Sequence, residues 1–174
     1  SGLALAAGLV AAQSLGQDLN ALRDGLVKSL EHADKALSGW RETLRASDWL
    51  SAEPHATYLM ARGPSLASCN EARLLWEEVA KAPATALPTG GFRHGSQEVI
   101  HPGSRVCIWL DQKALRKEDQ NLIADLRTAG AKVMAIGNHI AGCGADVTIE
   151  VPSAPASWQF LVDGIPMQLA SELL

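Results

Sequence analysis

Glu71 and Glu78 are the side chains of this sequence whose type and spacing best suit proton transfer. They lie in a predicted helix over residues 66–82, and at roughly 100° per residue they point within about 20° of each other. Leu74 and Val79 fall in the same sector, so we expect this face of the helix to be buried. Because an unpaired buried carboxylate is unfavourable, such a pair either finds partners or acquires shifted pKa values, which makes it a candidate for acid–base chemistry. The alternative is two ordinary glutamates at the edge of a helix face.

His94 lies in the glycine-rich stretch Gly90-Gly-Phe-Arg-His-Gly-Ser96. This pattern predicts an exposed imidazole on a bendable loop, beside the cation of Arg93. Glycine lets a ligand approach the backbone closely, and histidine is the side chain best placed to exchange a proton near neutral pH. The alternative is a turn whose histidine faces solvent.

The segment Arg62-Gly63-Pro64-Ser65 stands between a predicted strand and the helix over 66–82. Ser65 follows a proline and is the expected N-cap of that helix. The free N–H groups and the dipole of a helix N-terminus favour an anion, so this segment is a candidate site for a phosphate or a carboxylate. A plain cap without a ligand is the alternative.

The composition predicts a globular domain with some connecting helix. The chain has 174 residues, of which 47% are hydrophobic and 20% charged, and its net charge is −4. This acidic balance, without a basic tract, gives no indication of a nucleic-acid partner. The three cysteines, Cys69, Cys107 and Cys143, lack metal-type spacing. We therefore expect reduced thiols in a cytoplasmic protein, and no bound metal.

Residues 2–12 form an apolar run that is about half as long as a membrane span and lacks the basic flank of a signal peptide. We expect no membrane segment here and interpret the run as a buried helix cut from a longer chain.

Strands and helices are predicted to alternate through most of the chain. Predicted helices cover 2–15, 18–49, 66–82, 115–129 and 157–174, with a break near Pro166 and a linker at 51–55. Predicted strands cover 57–61, 85–88, 105–110, 132–136 and 147–151. Apolar strands that alternate with helices indicate an α/β three-layer sandwich with a mostly parallel sheet.

In such a sheet the ligand site lies beyond the carboxyl ends of the strands, which here is at the loops 62–65, 90–96 and 137–139. The sequence contains neither G-x-G-x-x-G nor a P-loop pattern, so neither a dinucleotide site nor a P-loop is indicated. We expect no cofactor.

The order of these motifs resembles the sugar isomerase (SIS) domain, and in particular the second SIS domain in the isomerase half of glucosamine-6-phosphate synthases. The resemblance covers residues 57–170. It rests on a strand, Arg62-Gly-x-Ser65, a helix with Glu71 and Glu78, a weak strand and then Gly-Gly-Phe-Arg-His94-Gly. It implies a flavodoxin-like SIS fold, with residues 1–50 as a helical lead-in that ends a preceding SIS domain and residues 51–174 as the SIS domain.

The resemblance also implies roles for these residues. Glu78 corresponds to the base that moves a proton between C1 and C2 of the sugar, His94 to the residue that assists ring opening from the other subunit, and Glu71 to a further site glutamate. Contacts to a hexose or hexosamine 6-phosphate are expected from Arg62, Gly63, Ser65 and Arg93. A homodimer with His94 near its interface is also implied.

Two classes of function remain open at this point. The first is a phosphosugar isomerase, deaminase or deglycase, which we expect rather than the synthase itself because Leu75 stands where the synthase has a lysine. The second is a non-catalytic sugar-phosphate-sensing domain of a transcription regulator. The presence of both glutamates and the histidine favours the enzyme.

Overall fold

The computed structural model describes residues 2–51, 56–110 and 115–174, and within these ranges the predicted alternation is confirmed. The strands are β1 (Thr57–Ala61), β2 (Ala84–Pro88), β3 (Arg105–Trp109), β4 (Lys132–Gly137) and β5 (Val147–Glu150). The helices are α1 (Gly2–Ser14), α2 (Leu19–Arg45), α3 (Asp48–Ser51), α4 (Leu66–Glu78), α5 (Thr89–Phe92), α6 (Arg116–Thr128), α7 (Gln159–Asp163) and α8 (Ile165–Glu172). Residues 52–55 of the predicted linker lie outside the described residues.

All five described strands are parallel and are ordered β2-β1-β3-β4-β5. This is the strand order of the flavodoxin-like, doubly wound fold. Every residue of β3, the central strand, is buried. Strands covered on both faces are expected to be apolar throughout, which is why the continuous apolar runs of the sequence predicted them correctly.

Alternate side chains of the strands enter two separate cores. From β3, Trp109 packs into the first core, which also contains Leu44 of α2 and Trp76 of α4. Ile108 packs into the second core, on the other face of the sheet, with Phe92 of α5. The helices α2, α4, α7 and α8 therefore cover one face of the sheet, and α5 and α6 cover the other.

The helix α4 is shorter than predicted, since it ends at Glu78 rather than near residue 82. Lys81 has a φ of 53°, in the left-handed region that a helix cannot continue through. The buried side of α4 consists of four residues at helical spacing: Ser68, Cys69, Ala72 and Trp76.

The helix α1 is mostly exposed in this chain, and its burial within a longer chain stays a prediction. Leu3 and Val10 are exposed, whereas Ala12 is buried. The helix packs through a narrow strip of small residues, because a Cβ at Gly8 would overlap the indole of Trp158. A strip of that width leaves the larger apolar side chains uncovered.

The predicted helix over 157–174 is divided into a 3₁₀ turn at Ala156–Trp158 and the helices α7 and α8. Pro166 lies in the first turn of α8, a position where proline is tolerated because no intrahelical N–H is needed there. The resulting bend leaves Asp163 at the end of α7, close to the start of α4.

Candidate functional site

A cavity of about 430 Å³ lies where β1, β3 and β4 end. Its volume is in the range of small-molecule sites. The described residues that line it are Arg62, Gly63, Pro64, Ser65, Trp109, Leu110, Ile136, Gly137, Ser153, Ala154, Ala156, Gln159 and Asp163. Of the three loops predicted at this edge, 62–65 lines the cavity throughout and 137–139 contributes Gly137, whereas 90–96 does not contribute.

Arg62 enters the cavity wall directly after β1. Its Nε donates to Oδ1 of Asp119 at 2.9 Å, and the Arg62 side chain is 21% exposed while that of Asp119 is fully buried. Asp119 lies in the first turn of α6, where the helix dipole also stabilises a carboxylate. The guanidinium is thereby held in one orientation, and part of its charge is already offset by a carboxylate.

Ser65 does not cap α4 through its side chain, contrary to the prediction. Its hydroxyl donates instead to Oδ2 of Asp163 at 2.9 Å. The other carboxyl oxygen of Asp163 accepts a hydrogen bond from Nε2 of Gln159 at 2.7 Å. The indole N–H of Trp109 donates to the backbone oxygen of Asp163 at 3.0 Å. These bonds fix the end of α7 against the start of α4.

Burial raises the pKa of the Asp163 carboxyl, and the hydrogen bonds from Gln159 and Ser65 lower it by a smaller amount. Removal from water disfavours the charged form of an acid, whereas donors to the carboxylate favour it. Among the described residues, none of the hydrogen-bond partners of this carboxyl is a cation. The ionised form is therefore less stable here than in water.

Glu71 and Glu78 lie on the exposed side of α4, so the prediction that their face is buried is wrong for this chain. Leu74 and Val79, in the same sector, are 42% and 48% exposed. The prediction failed because the sequence has apolar residues on both sides of α4. The side that carries Trp76 is the one that packs against the sheet. Since α4 rises about 1.5 Å per residue, Glu78 is roughly 20 Å from Ser65 along the helix.

His94 lies in an exposed turn directly after α5. Phe92 anchors this turn in the second core. Its ring packs edge-on against that of Tyr58, with the ring centroids 5.8 Å apart. Arg93 is directed to α6, where its guanidinium pairs with the exposed carboxylate of Asp125 at 3.3 Å. The turn therefore presents His94 on the sheet face opposite α4.

The predicted site residues consequently fall into three places. Arg62, Gly63 and Ser65 share the cavity, Glu71 and Glu78 share the outer side of α4, and Arg93 and His94 share the turn after α5. Sequence reasoning missed Asp163 and Gln159. An i, i+4 pair of hydrogen-bonding residues was visible at these positions, but nothing in the sequence placed it beside Ser65.

Within the described ranges, no group of three or more His, Cys, Asp or Glu side chains is placed to hold a metal ion. In the same part of the chain, no helix has both the length and the apolar character that crossing a membrane requires.

Comparison with curated proteins finds glutamine–fructose-6-phosphate aminotransferases. No protein-family model matches the chain. It is 27% identical over 165 residues to a glutamine–fructose-6-phosphate aminotransferase (isomerizing) of Pyrobaculum aerophilum, a match that covers 92% of this chain and 27% of the relative. The chain thus spans about a quarter of the length of this curated relative.

Solved structures share the fold at lower identity. The C-terminal domain of glucosamine-fructose-6-phosphate aminotransferase from Francisella tularensis aligns with a TM-score of 0.68 and 18% identity, over 88% of this chain and 42% of that one. Glucosamine-6-phosphate deaminase from Thermotoga maritima aligns with a TM-score of 0.71 and 17% identity, over 94% and 46%. The predicted resemblance is confirmed: the chain has the fold of a sugar isomerase (SIS) domain and resembles the isomerase half of the fructose-6-phosphate aminotransferases.

Proposed function

We propose that this chain is a phosphosugar-binding SIS domain of an enzyme that interconverts aldose and ketose phosphosugars, or that releases or transfers an amine by the same proton chemistry. The names of similar proteins support this, since they include an aminotransferase named for fructose 6-phosphate and a deaminase named for glucosamine 6-phosphate. We propose a hexose or hexosamine 6-phosphate as the substrate and the cytoplasm as the place of action.

The outer side of α4 is the observation that carries this proposal. Glu71 and Glu78 are exposed there, on the same side of the helix as the exposed apolar side chains of Leu74 and Val79. A second surface that covers this side would exclude water and hold a bound sugar against the carboxylates, which is the setting in which a positioned carboxylate acts as a general base. We propose that Glu78 takes the proton from the sugar carbon and that Glu71 orients the substrate.

The second surface comes from another SIS unit in this proposal. This second SIS unit supplies its own histidine, equivalent to His94. The His94 of the same chain cannot do so, because it lies on an element that covers the other face of the sheet. An imidazole can donate a proton to the ring oxygen and thereby assist ring opening. A homodimer with His94 near its interface satisfies this requirement.

We propose that residues 1–50 end a preceding SIS domain and that residues 51–174 form a second one. The exposed leucine and valine side chains of α1 support a preceding unit that covers them, since apolar side chains of a helix are usually covered. The lead-in also belongs to the second domain at α2, whose Leu44 packs in the first core. The Pyrobaculum aerophilum relative is long enough to contain a further SIS domain, because this chain spans only about a quarter of its length.

Sugar contacts are proposed for Arg62, Gly63 and Ser65 at the cavity, and for Arg93 near the turn after α5. The cavity and Glu78 are separate places on one chain, because the length of α4 lies between them. In the proposed enzyme, therefore, Glu78 and the cavity of the same SIS unit do not contact the same sugar molecule.

Turnover of the complete protein with fructose 6-phosphate and with glucosamine 6-phosphate tests the proposal. Glu78→Gln should lower kcat by roughly 10²–10⁴-fold, the usual contribution of a general base. Glu77→Gln is the matched control, since this neighbouring carboxylate pairs with Arg73 at 2.6 Å instead; it should keep wild-type turnover.

A Glu78→Gln variant with wild-type turnover would remove Glu78 from the mechanism. Tight binding of a sugar phosphate by wild-type protein without any turnover would instead favour the sugar-phosphate-sensing domain of a transcription regulator.

A further inference from the structure

In its described lining, the cavity at the carboxyl edge of the sheet contains the carboxyl group of Asp163 without a cation bonded to it. Asp163 is 4% exposed and lines the cavity. Its hydrogen-bond partners among the described residues are the Ser65 hydroxyl and the Gln159 amide, both neutral. Arg62 is the cation in the described lining, and its Nε is bonded to Asp119. An ionised carboxylate in such a place gains most from a ligand that brings a positive charge.

Neighbouring groups make an anion at Ser65 unfavourable. The serine hydroxyl already donates to the Asp163 carboxyl, so a phosphate placed there would lose this donor. It would also lie beside a second anion, which repels it at short range. The start of α4, which the sequence alone indicates as an anion site, is therefore occupied by an internal carboxyl group.

The remaining lining is suited to a small polyhydroxylated molecule. Ser153 provides a hydroxyl, while Trp109 and Ile136 provide apolar surface. The Gln159 amide bonds to Ala154, Pro152 and Asp163 and stiffens this wall. Sites of this size commonly combine an apolar wall with a few polar groups that fix the orientation of the ligand.

We propose that this cavity is selective for a monosaccharide-sized ligand that carries an ammonium group, and that the Asp163 carboxylate is the group that recognises it. The inference relies on the proposed function only for the expectation that the ligand is a sugar. If the ligand also carries a phosphate, Arg62 is the cation available to it in the described lining, away from the Ser65 hydroxyl.

Binding of three matched sugars to the complete protein tests this inference: glucosamine, glucose and N-acetylglucosamine. The indole N–H of Trp109 is a specific reporter, because it bonds to the backbone of Asp163 in the cavity wall, and its NMR signal can be assigned with Trp109→Phe. Glucosamine should shift this signal and bind at least about tenfold more tightly than the other two sugars, as expected for one charge-assisted hydrogen bond. Equal affinities, or tighter binding of N-acetylglucosamine, would overturn the inference.

Asp163→Asn provides a second test, since it keeps the shape of the side chain and removes its charge. This variant should lose the preference for glucosamine, whereas Asp34→Asn, the same change at an exposed position of α2, should keep it. A folded Asp163→Asn variant that retains the preference would contradict the inference. If Asp163→Asn does not fold, the comparison of the three sugars on wild-type protein decides alone.

The two proposals fail separately. Turnover of a sugar phosphate without any preference for the amine would contradict only the role of Asp163. A clear preference for glucosamine in a protein without isomerase, deaminase or deglycase turnover would contradict only the proposed function.

Discussion

Glu78 and His94 lie on elements that cover opposite faces of one parallel sheet. Glu78 ends α4, whose inner side packs in the first core through Trp76. His94 follows Phe92, which packs in the second core on the other face. Both side chains are exposed. We therefore propose that Glu78 of one SIS unit acts together with His94 of another.

The exposed side of α4 is expected to be a protein interface. Leu74→Gln should raise the dissociation constant of the dimer by at least about tenfold, because the leucine is the larger apolar side chain beside Glu71 and Glu78. The free energy of unfolding of the monomer should change by about 0.5 kcal/mol or less, as for other exposed positions. Sedimentation analysis measures the first quantity, and urea denaturation measures the second.

Leu30→Gln is the control for this prediction, because Leu30 lies on α2 and has nearly the same exposure, 41% against 42%. Association that weakens with Leu30→Gln and not with Leu74→Gln would move the interface from α4 to α2.

Sugar phosphates are expected to stabilise the complete protein against heat. A ligand that binds only the native state raises the melting temperature, by an amount that grows with the logarithm of its concentration relative to its dissociation constant. Fructose 6-phosphate or glucosamine 6-phosphate should raise it more than fructose, glucose or ATP, because the dianion contributes anchoring and the sequence contains no nucleotide-binding pattern. A larger shift with ATP or NAD, or equal shifts with glucose and glucose 6-phosphate, would contradict the phosphosugar assignment.

Asp163 should make stability depend on pH in a definite direction. Burial raises its pKa in the folded state, so between its ordinary pKa and the raised one the folded protein binds more protons than the unfolded chain. Its contribution to stability is therefore complete below the ordinary pKa and is lost as the pH rises through the folded pKa. Asp163→Asn removes this loss.

Urea denaturation of Asp163→Asn and wild type between about pH 4 and pH 8 measures the effect. The free energy of unfolding of the variant should increase relative to wild type as the pH rises. The same difference for Asp34→Asn, at an exposed position, should stay nearly constant. A difference that shrinks with rising pH would show that the ionised carboxyl stabilises the fold.

Much of the fold follows from periodicity alone. The apolar runs at β3 and β4 are long enough to be read as strands buried on both faces, and the glycine after α6 marks its end as predicted, with Gly130 at a φ of 87°. The cavity at the carboxyl ends of the strands follows from the parallel topology. These features depend on local sequence and on general rules of chain connection.

The site could be predicted only in part, because its contacts join distant parts of the chain. Ser65 has the sequence context of a helix cap, yet its hydroxyl bonds to Asp163 almost a hundred positions later. The periodicity of α4 indicates two apolar sides, and only packing against the sheet determines which one is covered. From the sequence, Arg62 is a candidate to bind an anion with its free charge. The fold places Asp119 of α6 beside it, and the two side chains form an ion pair.

Hybrid dimers test the central claim, that Glu78 and His94 act across two chains. Glu78→Gln and His94→Ala chains, each inactive alone, should regain about a quarter of wild-type turnover when mixed in equal amounts, because half of the dimers are hybrids with one intact site of two. Wild type mixed with the double variant should in contrast form inactive hybrids. Mass spectrometry confirms that hybrids are present. Hybrids of the single variants without turnover, together with active hybrids of wild type and the double variant, would show that each site is built within one chain.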